Sequence, residues 1–155
     1  MYIDVFNGDA DGICALHQLR LADPRPGARL ITGVKRDIQL LKQLAGTSKA
    51  YITVLDVSLD SNREELVSLL EGGCEILYVD HHFSGEIPDS SNLRAHIESN
   101  PETCTSLIVN HMLDGKFGGW AVAGAFGDNL HQSAYQAAAT LSLSDSTISK
   151  LKELG

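Results

Sequence analysis

A chain of 155 residues with 43% hydrophobic and 21% charged residues is long enough for one domain that buries roughly two-thirds of its unfolded surface, and its composition excludes a disordered tract. Twelve basic against twenty acidic side chains, a formal charge of −8, argue against a broad surface for the nucleic-acid backbone, which relies on Lys and Arg to displace counterions. A phosphate would therefore have to be met locally, with a bound cation.

In chain order, the first 80 residues alternate short β-rich runs with helical patterns, which predicts βαβ units and a parallel sheet. "YIDVF" is the first strand, and a helix runs from Gly12 through Ala22 with Leu16, Leu19 and Ala22 at helical spacing, ended by Pro24 and Pro26. "RLITGV" is the second strand, "DIQLLKQLA" the second helix, closed by Gly46, and "YITVLDV" the third strand. Ser61-Asn62-Arg63-Glu64 has capping-box spacing and opens a helix with Leu66, Leu69 and Leu70 on its face, stopped by Gly72-Gly73. "EILYV" is the fourth strand. A polar connection then runs to Asn100-Pro101, read as N-cap and first helical position of a helix ending at Met112. The remainder reads as helical: "WAVAGAFGDN" suits a buried helix or a short strand, and "SDSTISKLKEL" is amphipathic, with Ile148, Leu151 and Leu154 on one side and Gly155 as its stop.

The acids and histidines collect at strand ends. Asp9 and Asp11 follow strand one, Asp56 closes strand three, and Asp80-His81-His82 closes strand four, so all fall at one edge of the sheet, where open α/β sheets bind ligands. Asp128, in "AFGDN", is the helical residue placed to complete the cluster. One aspartate after a strand is usually a cap or turn residue, and one His pair is usually a surface feature. Carboxylates at this density, however, raise one another's pKa unless a cation sits among them. Oxygen and imidazole donors without thiolates favour Mn²⁺, with Mg²⁺, Co²⁺ and Zn²⁺ as alternatives.

Four motifs carry a family likeness. "GDADG", "VLDVS", "YVDHH" and "GAFGDN" occur in this order, and together they resemble the DHH phosphoesterase family, in particular its RecJ-like and oligoribonuclease-like N-terminal catalytic domains; the family hydrolyses phosphodiester or phosphoanhydride bonds. The resemblance implies a three-layer α/β domain with a mostly parallel sheet, spanning residues 1–155 and holding one or two Mn²⁺ ions. Asp9 would bind the first ion, Asp11 the second and Asp56 both, with His81 and Asp128 completing the ligand set of the second ion. Asp80 would hold the site together and His82 would face the scissile phosphate. Two such cations activate water and neutralise developing charge. Two departures bear on this: Val5 stands where many members carry a metal-binding histidine, with Asn7 nearby, and the family's smaller C-terminal substrate-binding domain is expected to be absent from this chain.

The expected partner is a phosphate-containing small molecule or a short single-stranded oligonucleotide, in keeping with the acidic charge; homo-oligomerisation and association with the family's missing domain are further expectations. Cys14, Cys74 and Cys104 are odd in number and far apart, which fits a reducing, cytoplasmic setting. "MYIDVFNGDADG" has no basic segment leading an apolar one, and no run approaches the roughly 18 apolar residues of a membrane span, so no membrane association is expected. His17, His96, His111 and His131 read as packing or solvated residues, with His131 nearest Asp128 in sequence. Lys35 and Arg36 could face a phosphate or form a solvated pair, and Trp120 could stack a base or simply pack. Two other functions compete with hydrolysis. A non-catalytic metal- or nucleotide-binding module is motivated by Val5, and a receiver-like phosphoacceptor domain is motivated by the acidic pair and Asp56 but lacks a lysine after a fifth strand.

Overall fold

Period-two alternation builds the sheet. In the computed structural model, which describes residues 1–34 and 36–155, strands β1 (Tyr2–Asn7), β2 (Arg29–Gly33), β3 (Tyr51–Leu55), β4 (Glu75–Asp80) and β5 (Leu93–Ile97) form one sheet. All pairings are parallel, in the order β2-β1-β3-β4-β5. Lys35 lies outside the described residues. The register pairs Val5 with Ile31 and Val54, Leu55 with Val79 and Asp80 with Ile97, so the C-terminal ends of β1, β3 and β4 meet at one edge.

Each face buries every second residue. Ile3, Val5, Ile52, Val54, Ile76 and Tyr78 pack with Leu41, Leu44, Leu66 and Leu69 on one side. Phe6, Leu55 and Val79 meet Leu16, Leu19, Ile108 and Val109 on the other. Side chains of this kind contribute about 1.5–3 kcal/mol each when fully buried. Helix α1 (Ala10–Ala22) and helix α3 (Thr105–Met112) cover the second face, whereas α2 (Arg63–Glu71) lies on the first. A third core, with Cys104, Val122, Phe126, Ala134 and Ala138, joins α4 (Gly118–Gly127), α5 (His131–Thr140) and α6 (Asp145–Leu154). The small residues of α4 let it pack directly on α1 and α3.

Several sequence expectations are corrected. The stretch taken as irregular contains β5, an edge strand whose Arg94 and His96 blunt the apolar alternation. "DIQLLKQLA" forms only a 3-10 segment, Leu40–Leu44. Its backbone is captured from elsewhere: the Leu41 amide donates to Asn62 Oδ1 and the Ile38 carbonyl accepts from Asn62 Nδ2. Because Asn62 serves that loop, it caps no amide of α2, and the Ser61–Glu64 capping box does not form; a 3-10 turn, Asp60–Asn62, leads in instead. Asn100-Pro101 opens a turn rather than a helix, with Asn100 Oδ1 accepting from the Glu102 amide, and α3 begins at Thr105. "WAVAGAFGDN" is helical as far as Gly127, and Ser144 Oγ caps α6 by accepting from the Thr147 amide. Among the described residues, no helix is long and apolar enough to cross a membrane.

Candidate metal centre

The turn from β1 into α1 sets the first carboxylates. Asp9 is the N-cap of α1, its Oδ1 accepting from the Gly12 amide and its Oδ2 from Asn7 Nδ2, both at 3.2 Å. Glycine is required at position 12, since a Cβ there would lie 2.2 Å from the Asn7 carbonyl oxygen. Asp11, one residue into the helix, turns inward and is 1% exposed. Its Oδ2 accepts from the Thr105 amide at 2.8 Å and its Oδ1 from the Ser106 amide at 2.7 Å. The positive end of α3 thus grips the Asp11 carboxylate.

Asp56 leaves β3 with φ at +57°, a left-handed conformation uncommon outside glycine and typical of functional turns. Two contacts over-determine it. The Asp56 amide donates to the Val79 carbonyl at 3.1 Å, and the buried Tyr78 hydroxyl donates to the Val57 carbonyl at 2.8 Å. The Thr105 hydroxyl donates to Asp56 Oδ1 at 3.2 Å, so α3 is tied to both Asp11 and Asp56.

At the end of β4, Asp80 is fully buried. Its Oδ1 lies 2.7 Å from His82 Nδ1, while its Oδ2 has no hydrogen-bond partner. His81 swings the other way: its Nε2 stands 3.4 Å from Asp56 Oδ1, 3.5 Å from Asp128 Oδ2 and 4.0 Å from Asp11 Oδ2. Among the described residues, two groups have donor atoms all within 4.8 Å of one another, Asp56-His81-His82 and Asp11-His81-Asp128. Four of the five sequence-proposed ligands, Asp11, Asp56, His81 and Asp128, therefore converge. Asp9 stands outside both groups as a cap, though near enough for its charge to raise the pKa of Asp56.

Like charge is crowded here. Burial, then the neighbouring Asp56, pushes the Asp11 carboxyl up to about 6. Burial also raises Asp56, against the opposing hydrogen bond from His81. Burial pulls the His81 imidazole down, but Asp56, Asp11 and Asp128 outweigh it and hold it at about 9. His82 is raised by its hydrogen bond to Asp80. In this state a protonated His81 occupies the middle of three carboxylates. The donors fit a divalent cation: oxygen and imidazole atoms face one another, burial opposes ionisation of two carboxyls, and Asp80 Oδ2 is buried without a partner. Burial and Asp11 together raise the Cys104 thiol, so no thiolate competes as a ligand.

The other residues singled out in the sequence fall elsewhere. Val5 is fully buried within β1, between Ile31 and Val54, and contributes packing only. His17 and Trp120 make an edge-on pair, with centroids 4.4 Å apart, between α1 and α4. His131 opens α5 against Phe126, His96 lies on β5, His111 sits in the last turn of α3, and Arg36 is exposed. The sequence reading missed Thr105, Ser106 and Tyr78. The "TCTS" run before the apolar "LIVNHM" was the available signal for the first two; for Tyr78 it was a polar-tipped aromatic two residues before Asp80.

No protein-family model and no curated protein matches the sequence. Solved structures do share its architecture. Exonuclease RecJ, in a crystal structure bound to manganese, superposes with a TM-score of 0.54 at 18% identity, covering 88% of this chain and 41% of that one. CDC45 from Entamoeba histolytica gives 0.59 at 13% identity, over 92% of this chain and 34% of that one. An uncharacterized protein from Helicobacter pylori G27 gives 0.53 at 17%, over 99% and 62%. The chain thus spans less than two-thirds of each of these three. At such identities the likeness speaks for the fold, and the chain carries the parallel α/β fold also found in manganese-bound RecJ.

Proposed function

We propose that this chain is a divalent-metal-dependent phosphoesterase domain of the DHH type, acting on a phosphodiester or phosphoanhydride in a small nucleotide or short oligonucleotide. The observation that carries the reading is the convergence of Asp11, Asp56, His81 and Asp128 at the strand ends, with His82 held beside them by Asp80. The fold shared with RecJ, an exonuclease solved with manganese, supports it.

Asp11, Asp56, His81 and Asp128 would hold the cation, with Mn²⁺ suited to their mixed donors. Such a cation, when bound, polarises a phosphoryl oxygen and lowers the pKa of water. The protein's own groups do the rest. Asp80 engages Nδ1 of His82, which fixes the ring and leaves Nε2 to hold a proton for the leaving oxygen. Asp80 acts through His82 as a positioning residue. Thr105 and the α3 amides fix the angles of Asp56 and Asp11, so these carboxylates need little rearrangement.

A one-ion variant of this reading is favoured by two placements, Val5 in the core and Asp9 engaged as a helix cap. Calorimetric titration with Mn²⁺, combined with turnover of bis(p-nitrophenyl) phosphate, tests the proposal. Binding lost in His81→Ala, with Mn²⁺-dependent turnover in the wild type, supports it. Binding without turnover of any ester assigns a non-catalytic module, and no binding at all removes the metal centre.

A further inference from the structure

The strand order reverses direction between β1 and β3, and open parallel sheets take ligands in the crevice beyond the strand ends at such a reversal. A cavity of about 140 Å³ lies there, with Asn7, Asp37 and Ser58 as polar walls and Ile38, Leu40 and Val57 as apolar ones. Asp56 and His82 line it too, so it opens onto the metal-ligand cluster. Its volume is close to the roughly 150 Å³ that accepts one benzene-sized ring, room for a furanose or a pyrimidine but not a whole nucleoside.

The chemistry of the lining chooses between them. Carboxylates of Asp37 and Asp56 and the hydroxyl of Ser58 give the described walls acceptors suited to O–H donors. The apolar wall suits the C–H face of a sugar. These walls are built to stay in place. Buried Asn62 donates to the carbonyls of both Ile38, at 2.6 Å, and Ser58, at 2.9 Å, which locks the two loops together. The Val34 amide donates to Asp37 Oδ2 at 3.2 Å, and Gly33 permits that approach, since a Cβ at position 33 would sit 2.7 Å from the same oxygen. A carboxylate has about four lone-pair directions, of which the Val34 amide uses one.

We propose that this cavity is a ribose subsite: Asp37 and Ser58 receive a vicinal 2′,3′-diol, and the phosphate of the same nucleotide lies beside Asp56 and His82. The substrate is then ribonucleotide rather than deoxyribonucleotide. As an account of substrate choice this rests on the phosphoesterase reading; as an account of binding it does not.

Calorimetry with AMP and 2′-deoxy-AMP in the presence of Mn²⁺, alongside hydrolysis of the dinucleotide ApA and its deoxy counterpart, tests it in the wild type. The expected result is a ribo preference of about 10–100-fold, the worth of one or two hydrogen bonds to a charged acceptor. Asp37→Asn should bring the ratio near one and Ser58→Ala should lower it part of the way. A diol taken from a free nucleotide shows in the AMP arm, and one taken from the 3′ end of an RNA shows in the ApA arm. Equal affinity for both sugars, a ratio untouched by Asp37→Asn, or a preference that follows the base instead of the sugar overturns the subsite. Turnover of bis(p-nitrophenyl) phosphate with no ribo preference sinks the subsite alone. Ribo-selective binding without turnover of any ester sinks the phosphoesterase reading alone.

Discussion

Two buried acidic places in this molecule are built in opposite ways. Near the start of β1, Asp4 is 1% exposed, and its two oxygens are met by Arg20 Nε and Nη2, each at 2.9 Å, while Arg20 Nη2 also donates to Thr53 Oγ1. One carboxylate faces one guanidinium in a bidentate fork, and the charge is settled within the chain. At the other end of the same strand and its neighbours, Asp11, Asp56 and Asp128 gather around His81 while Asp80 engages His82, two carboxyls are raised, and Asp80 Oδ2 has no hydrogen-bond partner among the described residues. The first arrangement is complete without a ligand. The second crowds several carboxylates around two imidazoles, a donor set that suits a cation.

Removing a charge should therefore have opposite consequences at the two ends. Asp4→Ala strips a buried pair of one member and is expected to destabilise by about 3 kcal/mol, the low end of the usual cost because Arg20 can partly rehydrate. Denaturant unfolding measures the loss, and the Mn²⁺ response should persist. Asp56→Asn, by contrast, relieves crowding of like charge, so the metal-free melting temperature should hold or rise. In the wild type, Mn²⁺ at a free concentration 100 times Kd should stabilise by about 2.7 kcal/mol, and in Asp56→Asn that gain should vanish. An Asp56→Asn protein that melts far below wild type without metal would erase the contrast.

A smaller effect separates positioning from packing. Tyr78→Phe leaves the Val57 carbonyl without its donor and should cost about 1–3 kcal/mol. If Tyr78 positions Asp56, Mn²⁺ affinity should also fall by about 10–100-fold, as for outer partners of metal ligands. A stability loss with unchanged Mn²⁺ affinity would reduce Tyr78 to a core residue.

How far the sequence foretold these regions follows the range of the interactions. The parallel sheet was legible because Ile3-Val5, Ile52-Val54 and Ile76-Tyr78 alternate locally, and the acids were legible because a residue ending a parallel strand has one place to go. Long-range polar contacts were not. Asn62 looked like part of a capping box, yet its side chain also reaches Ile38 and Leu41, more than twenty residues away, and that capture also cost the second predicted helix. Thr105 and Ser106 fell inside a helix read as starting at Asn100-Pro101, whereas α3 starts at Thr105 and their amides serve Asp11 across the fold. The edge strand β5 escaped because half-exposed strands lose the alternation on which a reading of strands depends.

The contrast also predicts a pH dependence confined to the cluster. His81 is raised from its ordinary 6.5 to about 9, so the stability it confers on the metal-free fold is complete below 6.5 and is lost as pH climbs through about 9. Asp11, raised from 3.8 to about 6, has the same sign: its contribution is complete below 3.8 and is lost as pH climbs through about 6. The metal-free protein should therefore weaken steadily from acid to alkaline conditions. Mn²⁺ needs the unprotonated imidazole, so binding expels the His81 proton and affinity should rise about tenfold per pH unit below about 9, more steeply below about 6 where Asp11 also gives up a proton. Calorimetry in buffers of different ionisation enthalpy counts the protons released. One proton at neutral pH, absent in His81→Ala, places His81 on the cation; no proton release would mean that the imidazolium stays where it is and that the cation, if bound, sits elsewhere.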